Sequence, residues 1–231
     1  DNEPLRPYNA ASKALLLNWH AVITTFPPDA ARGVAMVSVE PPLAGYAVDA
    51  TVPLSAEPCS DWRGGLKANL GDPNRLRFAG VYPLACGEKF WPAAYPDPKL
   101  YAQRVLTALW QGAGGKLGGT VREGPAPENI KPTFELSSPP LAEIVRDINK
   151  YSNNVMAQQV FLSLPLHSAY RSGAARITPD DARAFLREWF AQRVGGATDG
   201  LVIDNGSGLS RDARITGNMF ARLLQSAWSS P

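Results

Sequence analysis

The sequence predicts an α+β fold, in which a β-rich N-terminal region precedes a mainly helical one. In residues 1–95, proline and glycine separate short apolar runs that are typical of strands. After residue 133, apolar residues recur every three or four positions, as they do on one face of a helix. The chain has 231 residues, 45% hydrophobic and 19% charged, which is enough for one large domain or two smaller ones with their own cores.

The N-terminal region, residues 1–132, is predicted to form strands within LLLNWHAVITTF, GVAMVSVE and GYAVDATVPL. A helix is predicted to begin at Pro98, because a first turn tolerates proline, and to end at the glycines of GAGG. The next stretch, GKLGGTVREG, is predicted to be a short strand between turns, and PAPENIKP a connector. A second region, residues 133–231, follows this connector.

Four helices are predicted in the second region. The first lies in SSPPLAEIVRDINKYS, and the second begins just after Ser152, in NVMAQQVFLSL. The third begins after Thr178, a natural N-cap that is followed by proline, and runs through TPDDARAFLREWFAQRVG. A strand and a loop are predicted in GLVIDNGSGLSRDARIT, before a last helix in GNMFARLLQSAW.

The charge balance and the lengths of the apolar runs bear on nucleic-acid binding and on membrane insertion. With 23 basic and 21 acidic residues, the net charge is +2, so no bulk attraction to nucleic acid is expected. No apolar run approaches the roughly 20 residues that a transmembrane helix needs. We therefore expect neither a nucleic-acid partner nor a transmembrane segment.

Only two cysteines occur, Cys59 and Cys86, both in loop-like surroundings. They either form one disulfide or remain thiols, and we expect the disulfide. Such a bridge would stabilise the fold by roughly 3 kcal/mol and would persist only in an oxidising compartment. The two histidines lie far from the cysteines in the sequence, so we expect no metal and no cofactor.

The triplet Ser152-Asn153-Asn154 lies where one predicted helix ends and the next begins. In serine acyl transferases, the hydroxyl of a Ser-x-Asn triplet relays a proton toward the leaving group, and the carboxamide donates to the substrate's amide carbonyl. Serine and asparagine are also ordinary cap and turn residues. The triplet alone therefore does not distinguish catalysis from capping.

The second candidate site is the loop DNGSGLSR, residues 204–211. Its small residues allow a close approach of the backbone to a ligand, although they also suit a tight turn capped by Asp204 or Asn205. The glycine pattern fits neither a P-loop nor a dinucleotide fingerprint. We therefore do not expect nucleotide binding.

Taken together and in this order, SSPPLAEIVRDINKYSNNVMAQQVFL and LVIDNGSGLSRDARIT resemble the type-4 penicillin-binding proteins, the D-alanyl-D-alanine carboxypeptidase/endopeptidase family (serine peptidase family S13). The resemblance extends upstream through the two-cysteine region to YNAASKALLLNW and covers essentially the whole chain. It implies that residues 133–231 are part of a penicillin-binding, β-lactamase-like transpeptidase domain. Residues 1–132 would then be a β-rich accessory region inserted into that domain.

The resemblance also implies a function. Members of this family are periplasmic, and they trim or cleave peptidoglycan stem peptides through an acyl-enzyme on the serine of a Ser-x-x-Lys motif, which penicillins also acylate. By this resemblance Ser152 is the proton-relaying serine and Asn154 binds the substrate amide. Substrate binding falls to Ser207, Gly208 and Arg211, the arginine matching a position that binds the side-chain carboxylate of the stem-peptide diaminoacid.

Two family motifs are absent from the chain. No serine is followed by lysine three positions later, and no Lys-Thr-Gly occurs. We therefore expect an internal segment of a serine carboxypeptidase that is inactive by itself, with an exposed apolar face on its helices that favours self-association. The alternative is a non-catalytic module that binds wall peptide or a partner protein.

Overall fold

A computed structural model of the chain describes residues 5–13, 15–125, 130–166, 177–196 and 198–230. The chain divides into two compact units, Asp1–Glu135 and Leu136–Pro231. The first unit contains all ten strands of the described residues, and the second is built mainly from helices. This mixture confirms the predicted α+β class.

Three small sheets make up most of the first unit, with strand orders β10-β1-β4, β2-β3-β6-β9 and β5-β8-β7. Most neighbouring strands are antiparallel, whereas β5 with β8 and β6 with β9 are parallel. The strands are β1 Ala21–Phe26, β2 Pro28–Asp29, β3 Val34–Met36, β4 Ser38–Glu40, β5 Ala47–Val48, β6 Thr51–Ser55, β7 Ala68–Asn69, β8 Arg75–Phe78, β9 Tyr82–Pro83 and β10 Lys89–Ala94. Two helices complete the unit, α1 Trp62–Leu66 and α2 Pro98–Gly112.

Aromatic residues dominate the larger core of this unit. The Phe26 ring stacks on Tyr82 at a centroid distance of 5.6 Å and meets Phe78 and Trp62 edge-on at 5.4 and 5.8 Å. Such pairs add to the stability that burial of the rings already provides. The fully buried aliphatic side chains of Val52 and Leu66 fill the space around them.

A second cluster of the first unit packs α2 against β1. Tyr101 is fully buried and its hydroxyl donates to the carbonyl of Ala21 at 2.7 Å. Burial raises the pKa of Tyr101 to about 12, so it remains a hydrogen-bond donor at neutral pH. The imidazole of His20 lies 5.3 Å from this ring, and burial lowers its pKa, with a further contribution from Lys13. His20 is therefore neutral in the core.

Two predictions for the first unit need correction. The run LLLNWHAVITTF becomes a strand only at Ala21, because Asn18, Trp19 and His20 have φ angles of 41, 50 and 51°, which extended strands exclude. The stretch GKLGGTVREG is not a strand. Its four glycines pack no side chains, and it has no partner strand among the described residues. Instead, Glu123 accepts a hydrogen bond from Lys13 at 3.0 Å.

The predicted disulfide is confirmed, because Cys59 and Cys86 are bonded across 27 residues of sequence. It joins the loop before α1 to the 3-10 turn Leu84–Cys86, which lies between β9 and β10. Cys86 is only 8% exposed and belongs to the aromatic core. The bridge thus attaches an irregular, exposed loop to the best-packed part of the unit.

Replacing both cysteines by serine should lower the free energy of unfolding of the first unit by about 3 kcal/mol, because the unfolded chain regains the entropy of a long open loop. Chemical denaturation followed by tryptophan fluorescence would measure the change, since Trp62 and Trp91 pack in this core. Reductant should destabilise the original chain and leave the double variant unchanged. Equal stability of both chains without reductant would contradict the prediction.

The second unit contains four helices within the described residues: α3 Leu141–Tyr151, α4 Asn154–Ser163, α5 Pro179–Arg193 and α6 Gly217–Trp228. All four predicted helices are confirmed. Thr178 caps α5 as expected, in a capping box in which Asp181 accepts the backbone N–H of Thr178 at 2.7 Å. The core of the unit joins α5 to α6 through Phe190, Val194 and Met219.

An apolar stripe on the second unit remains exposed, in agreement with the expectation from the sequence. On α6, Phe220, Leu224 and Trp228 recur every four residues and are 50, 55 and 92% exposed. The neighbouring stripe carries Met219 and Leu223, which pack into the core. Among the described helices, none is long and apolar enough to span a membrane.

Candidate active site

The Ser152–Asn154 corner is a tight link between two helices. Helix α3 ends at Tyr151 and α4 begins at Asn154, so only two residues connect them. Asn153 is the N-cap of α4, because its side-chain oxygen accepts the backbone N–H of Met156 at 3.0 Å. Its own N–H donates to the carbonyl of Ile148 at 3.0 Å. The middle residue of the triplet, to which no role was assigned from the sequence, therefore fixes the geometry of the corner.

Ser152 has a left-handed backbone, with φ 54° and ψ 51°. This conformation costs a residue with a Cβ about 1 kcal/mol and is usually occupied by glycine at the end of a helix. The Ser152 side chain is exposed, and its hydroxyl forms no hydrogen bond with the described residues. A strained residue with a free hydroxyl is a candidate for a role outside the fold itself.

Asn154 joins the corner to the 204–211 loop. Its Nδ2 donates to the backbone carbonyl of Ser207 at 2.7 Å, across 53 residues of sequence. The two sequence motifs therefore meet in the folded unit. A carboxamide has two amide hydrogens and one oxygen, so this bond leaves one donor and the acceptor of Asn154 for other partners.

The loop is shaped by its own side chains. Asn205 Oδ1 accepts both the backbone N–H of Ser207, at 3.0 Å, and its hydroxyl, at 2.7 Å. The Ser207 hydroxyl in turn accepts the N–H of Leu209 at 3.2 Å, and the residue is only 8% exposed. Ser207 thus uses its hydroxyl to hold the turn and its carbonyl to hold Asn154, whereas its predicted contact with substrate remains a prediction.

Glycine is required at position 206 for two reasons. Gly206 has a φ of +71°, and a Cβ there would lie 2.5 Å from the Cβ of Phe161 on α4. The loop therefore packs directly against the helix that begins at Asn154. Gly208 has a φ of +78°, but a Cβ there would meet open space. Any ligand contact of Gly208 would come from an exposed backbone.

Arg211 lies at the exposed end of the loop. Its guanidinium forms no hydrogen bond or ion pair with the described residues, and its carbonyl accepts a hydrogen bond from the Arg214 side chain. Arg214 also donates to the carbonyl of Ala213 at 2.9 Å. The Arg214 side chain thus folds back on the backbone at the end of the loop. The planar guanidinium of Arg211 remains available to bind a carboxylate.

Arg183 on α5 was not identified from the sequence. Its Nη1 donates to the carbonyl of Asp204 at 3.1 Å, and its Nε and Nη2 donate to Asp180 Oδ1 at 3.2 and 2.7 Å. The capping role of Asn153 has a local signal, because the N–H that it binds lies three residues ahead. Arg183 has no such signal, since its partner belongs to another element 21 residues away.

A cavity of about 330 Å³ is lined by residues 201–206, by Gly208 and Ser210 of the loop, and by residues 213–215. Leu201, Ile203 and Ile215 give it mostly apolar walls. Ser152, Asn154, Ser207 and Arg211 are absent from its lining. The meeting of the two motifs, rather than this cavity, is therefore the candidate active site.

Replacing Ser152 by glycine should raise the free energy of unfolding of the second unit by about 1 kcal/mol, because glycine adopts a positive φ without steric cost. The matched variant Ser152→Ala removes the same hydroxyl but keeps the Cβ, so its stability should stay close to that of the original chain. Urea denaturation followed by circular dichroism would measure both. Equal stabilities of the glycine and alanine variants would show that the corner is not strained.

The sequence and the structure are both similar to those of known proteins. Residues 2–231 match the sequence model of the D-Ala-D-Ala carboxypeptidase 3 (S13) family. No curated protein sequence gives a significant match.

The structure is similar to the crystal structure of penicillin binding protein 4 from Haemophilus influenzae, with 17% sequence identity, a TM-score of 0.65, and coverage of 97% of this chain and 48% of that chain. A second structure of that protein, complexed with a novel β-lactam, matches with 16% identity, a TM-score of 0.58, and coverage of 91% and 48%. The likeness confirms the predicted fold class, and the chain spans about half the length of these structures. Because the family match extends over almost every residue, the chain belongs to the D-Ala-D-Ala carboxypeptidase S13 family.

Proposed function

We propose that this chain is a segment of a periplasmic serine carboxypeptidase/endopeptidase that trims peptidoglycan stem peptides ending in D-Ala-D-Ala. The observation that carries the proposal is the hydrogen bond from Asn154 to Ser207, which places the Ser-x-Asn corner beside the loop that leads to Arg211. Membership of the S13 family supports the reaction class. The disulfide is consistent with an oxidising compartment such as the periplasm.

Each proposed role uses a hydrogen-bonding group that has no partner among the described residues. In acyl transfer, a serine oxygen attacks the peptide carbonyl, the C-terminal D-Ala leaves as an amine that takes up a proton, and water then hydrolyses the ester. The exposed Ser152 hydroxyl suits the delivery of that proton. Asn154 retains one amide hydrogen to bind the substrate carbonyl. Arg211 would bind a carboxylate of the stem peptide through its planar fork.

The attacking serine lies outside these 231 residues, because none of their serines has a lysine three positions later and no Lys-Thr-Gly occurs. The second unit thus supplies the proton relay and the amide-binding group, and other segments of the enzyme supply the nucleophile and its base. By itself the chain would contribute groups that bind the substrate but would not hydrolyse it. Penicillins would then acylate only a protein that also carries the Ser-x-x-Lys motif.

A fluorescent penicillin should label the full-length protein covalently and should not label this 231-residue chain, because an unactivated serine does not open a β-lactam at a useful rate. In the full-length protein, Asn154→Ala and Ser152→Ala should each slow acylation by roughly 100-fold, as is typical for the loss of one positioned donor or proton relay. Stopped-flow fluorescence and gel labelling would measure these rates.

Pre-incubation with unlabelled penicillin should abolish the signal and serves as the control. Labelling of Ser152 or Ser207 in the short chain would overturn the assignment of roles. A full-length protein that binds stem peptides but is never acylated would instead favour the alternative, a non-catalytic module that binds wall peptide.

The exposed stripe of α6 supports self-association of this chain, with a second copy covering Phe220, Leu224 and Trp228. Sedimentation velocity should show a concentration-dependent dimer, and Leu224→Glu should shift it to monomer because a carboxylate cannot be buried cheaply in an apolar contact. Leu109→Glu is the matched control, since Leu109 on α2 is similarly exposed, at 50% against 55%. A monomer at all concentrations would refute the association.

A further inference from the structure

Arg183 occupies an unusual position for a helical arginine of the second unit. It lies in the second turn of α5, and its side chain is only 25% exposed although it carries a charge. Two of its donors bind the same oxygen of Asp180, one helical turn before it. The third, Nη1, reaches the carbonyl of Asp204 at the start of the 204–211 loop. Arg183 is therefore oriented by Asp180 of its own helix and donates a hydrogen bond to the 204–211 loop.

A continuous series of contacts leads from this arginine to the Ser152–Asn154 corner. The Asp204 carbonyl held by Arg183 belongs to the peptide group that also contains the Asn205 nitrogen. The Asn205 side chain then accepts both donors of Ser207. The Ser207 carbonyl finally accepts the amide of Asn154 at 2.7 Å. Each contact restricts the orientation of the next group, because a hydrogen bond weakens steeply when it is bent.

We infer that Arg183 is a positioning residue for the Ser152–Asn154 corner, acting through the Asp204–Ser207 turn on the amide of Asn154; this inference rests on the proposed function. A catalytic amide must be held within a fraction of an ångström of its working position, and the residues behind it provide that precision. Asn154 lies at the first turn of α4, and the Ser207 carbonyl is its only hydrogen-bond partner among the described side-chain contacts. The orientation of that carbonyl therefore sets the orientation of the amide.

A simpler interpretation is that Arg183 and Asp180 form an ordinary surface ion pair of a helix. Asp180 is 86% exposed, and such pairs contribute little to stability. That interpretation does not account for the bond from Nη1 to Asp204, which crosses between elements and uses the part of the fork that faces away from Asp180. The two interpretations lead to different expectations. Loss of an ordinary surface ion pair would change neither the acylation rate nor the hydrogen bonding of the Asn154 side chain.

The first test compares Arg183→Ala, Arg183→Lys and Arg187→Ala in the full-length protein. Arg187 is the matched control, because it lies one turn further along α5, is exposed, and forms no hydrogen bond with the described residues. Acylation by fluorescent penicillin should slow about 10-fold in Arg183→Ala, less in Arg183→Lys, and not at all in Arg187→Ala. Melting temperatures of the three variants separate this effect from unfolding. Equal rates for Arg183→Ala and Arg187→Ala would overturn the inference.

A double-mutant cycle tests the route. If Arg183 acts through Asn154, Arg183→Ala should slow acylation in the original protein and cause no further loss in the Asn154→Ala background. Losses that multiply would mean that Arg183 acts independently of Asn154, which contradicts the inference. This result distinguishes positioning from a general weakening of the fold, since the latter would act in both backgrounds.

A third measurement uses the 231-residue chain and requires no activity. The side-chain amide hydrogens of Asn154 should exchange with deuterium at least several-fold faster in Arg183→Ala than in Arg187→Ala, as observed by ¹⁵N-resolved NMR. Unchanged exchange would overturn the inference. If the full-length protein is never acylated, the proposed function fails, and this exchange rate alone decides whether Arg183 positions Asn154.

Discussion

The hydrogen bond from the Asn154 amide to the Ser207 carbonyl is the interaction on which the arrangement of the second unit depends. It fastens the corner between α3 and α4 to a loop that is distant in sequence. Three further features act on the same junction: the Asn153 cap, the close packing of Gly206 on Phe161, and the anchoring of Asp204 by Arg183. Together they make a loop of small residues into a defined surface, because its start is held from α5 and its middle from α4.

The same junction contains a residue with a strained backbone. Ser152 adopts a left-handed conformation that glycine would occupy without strain, and its hydroxyl gives the described structure no hydrogen bond in return. Stability alone would favour another residue at this position. The corner is therefore better explained by the chemistry proposed for the hydroxyl than by folding, a trade that is common at active sites.

The first unit solves a different problem. Its strands are short, and many have only two or three residues, so hydrogen-bonded ladders alone would hold it weakly. Stability comes instead from the aromatic cluster around Phe26 and from the disulfide that fastens the loop before α1 to that cluster. These two features stabilise the unit although it contains little regular sheet.

The sequence by itself determined the helices, the Thr178 cap and the family, because each depends on signals within a few residues or on a run of motifs in order. The disulfide could be expected because the chain has only two cysteines, although the sequence alone left two thiols as the alternative. Strands were harder to predict, as GKLGGTVREG shows, since a strand exists only where a partner is present. Only the tertiary structure decided that Asn154 meets Ser207 and that Arg183 binds Asp204. Both contacts join residues of different elements, and their directions depend on how the helices pack, which no local pattern records.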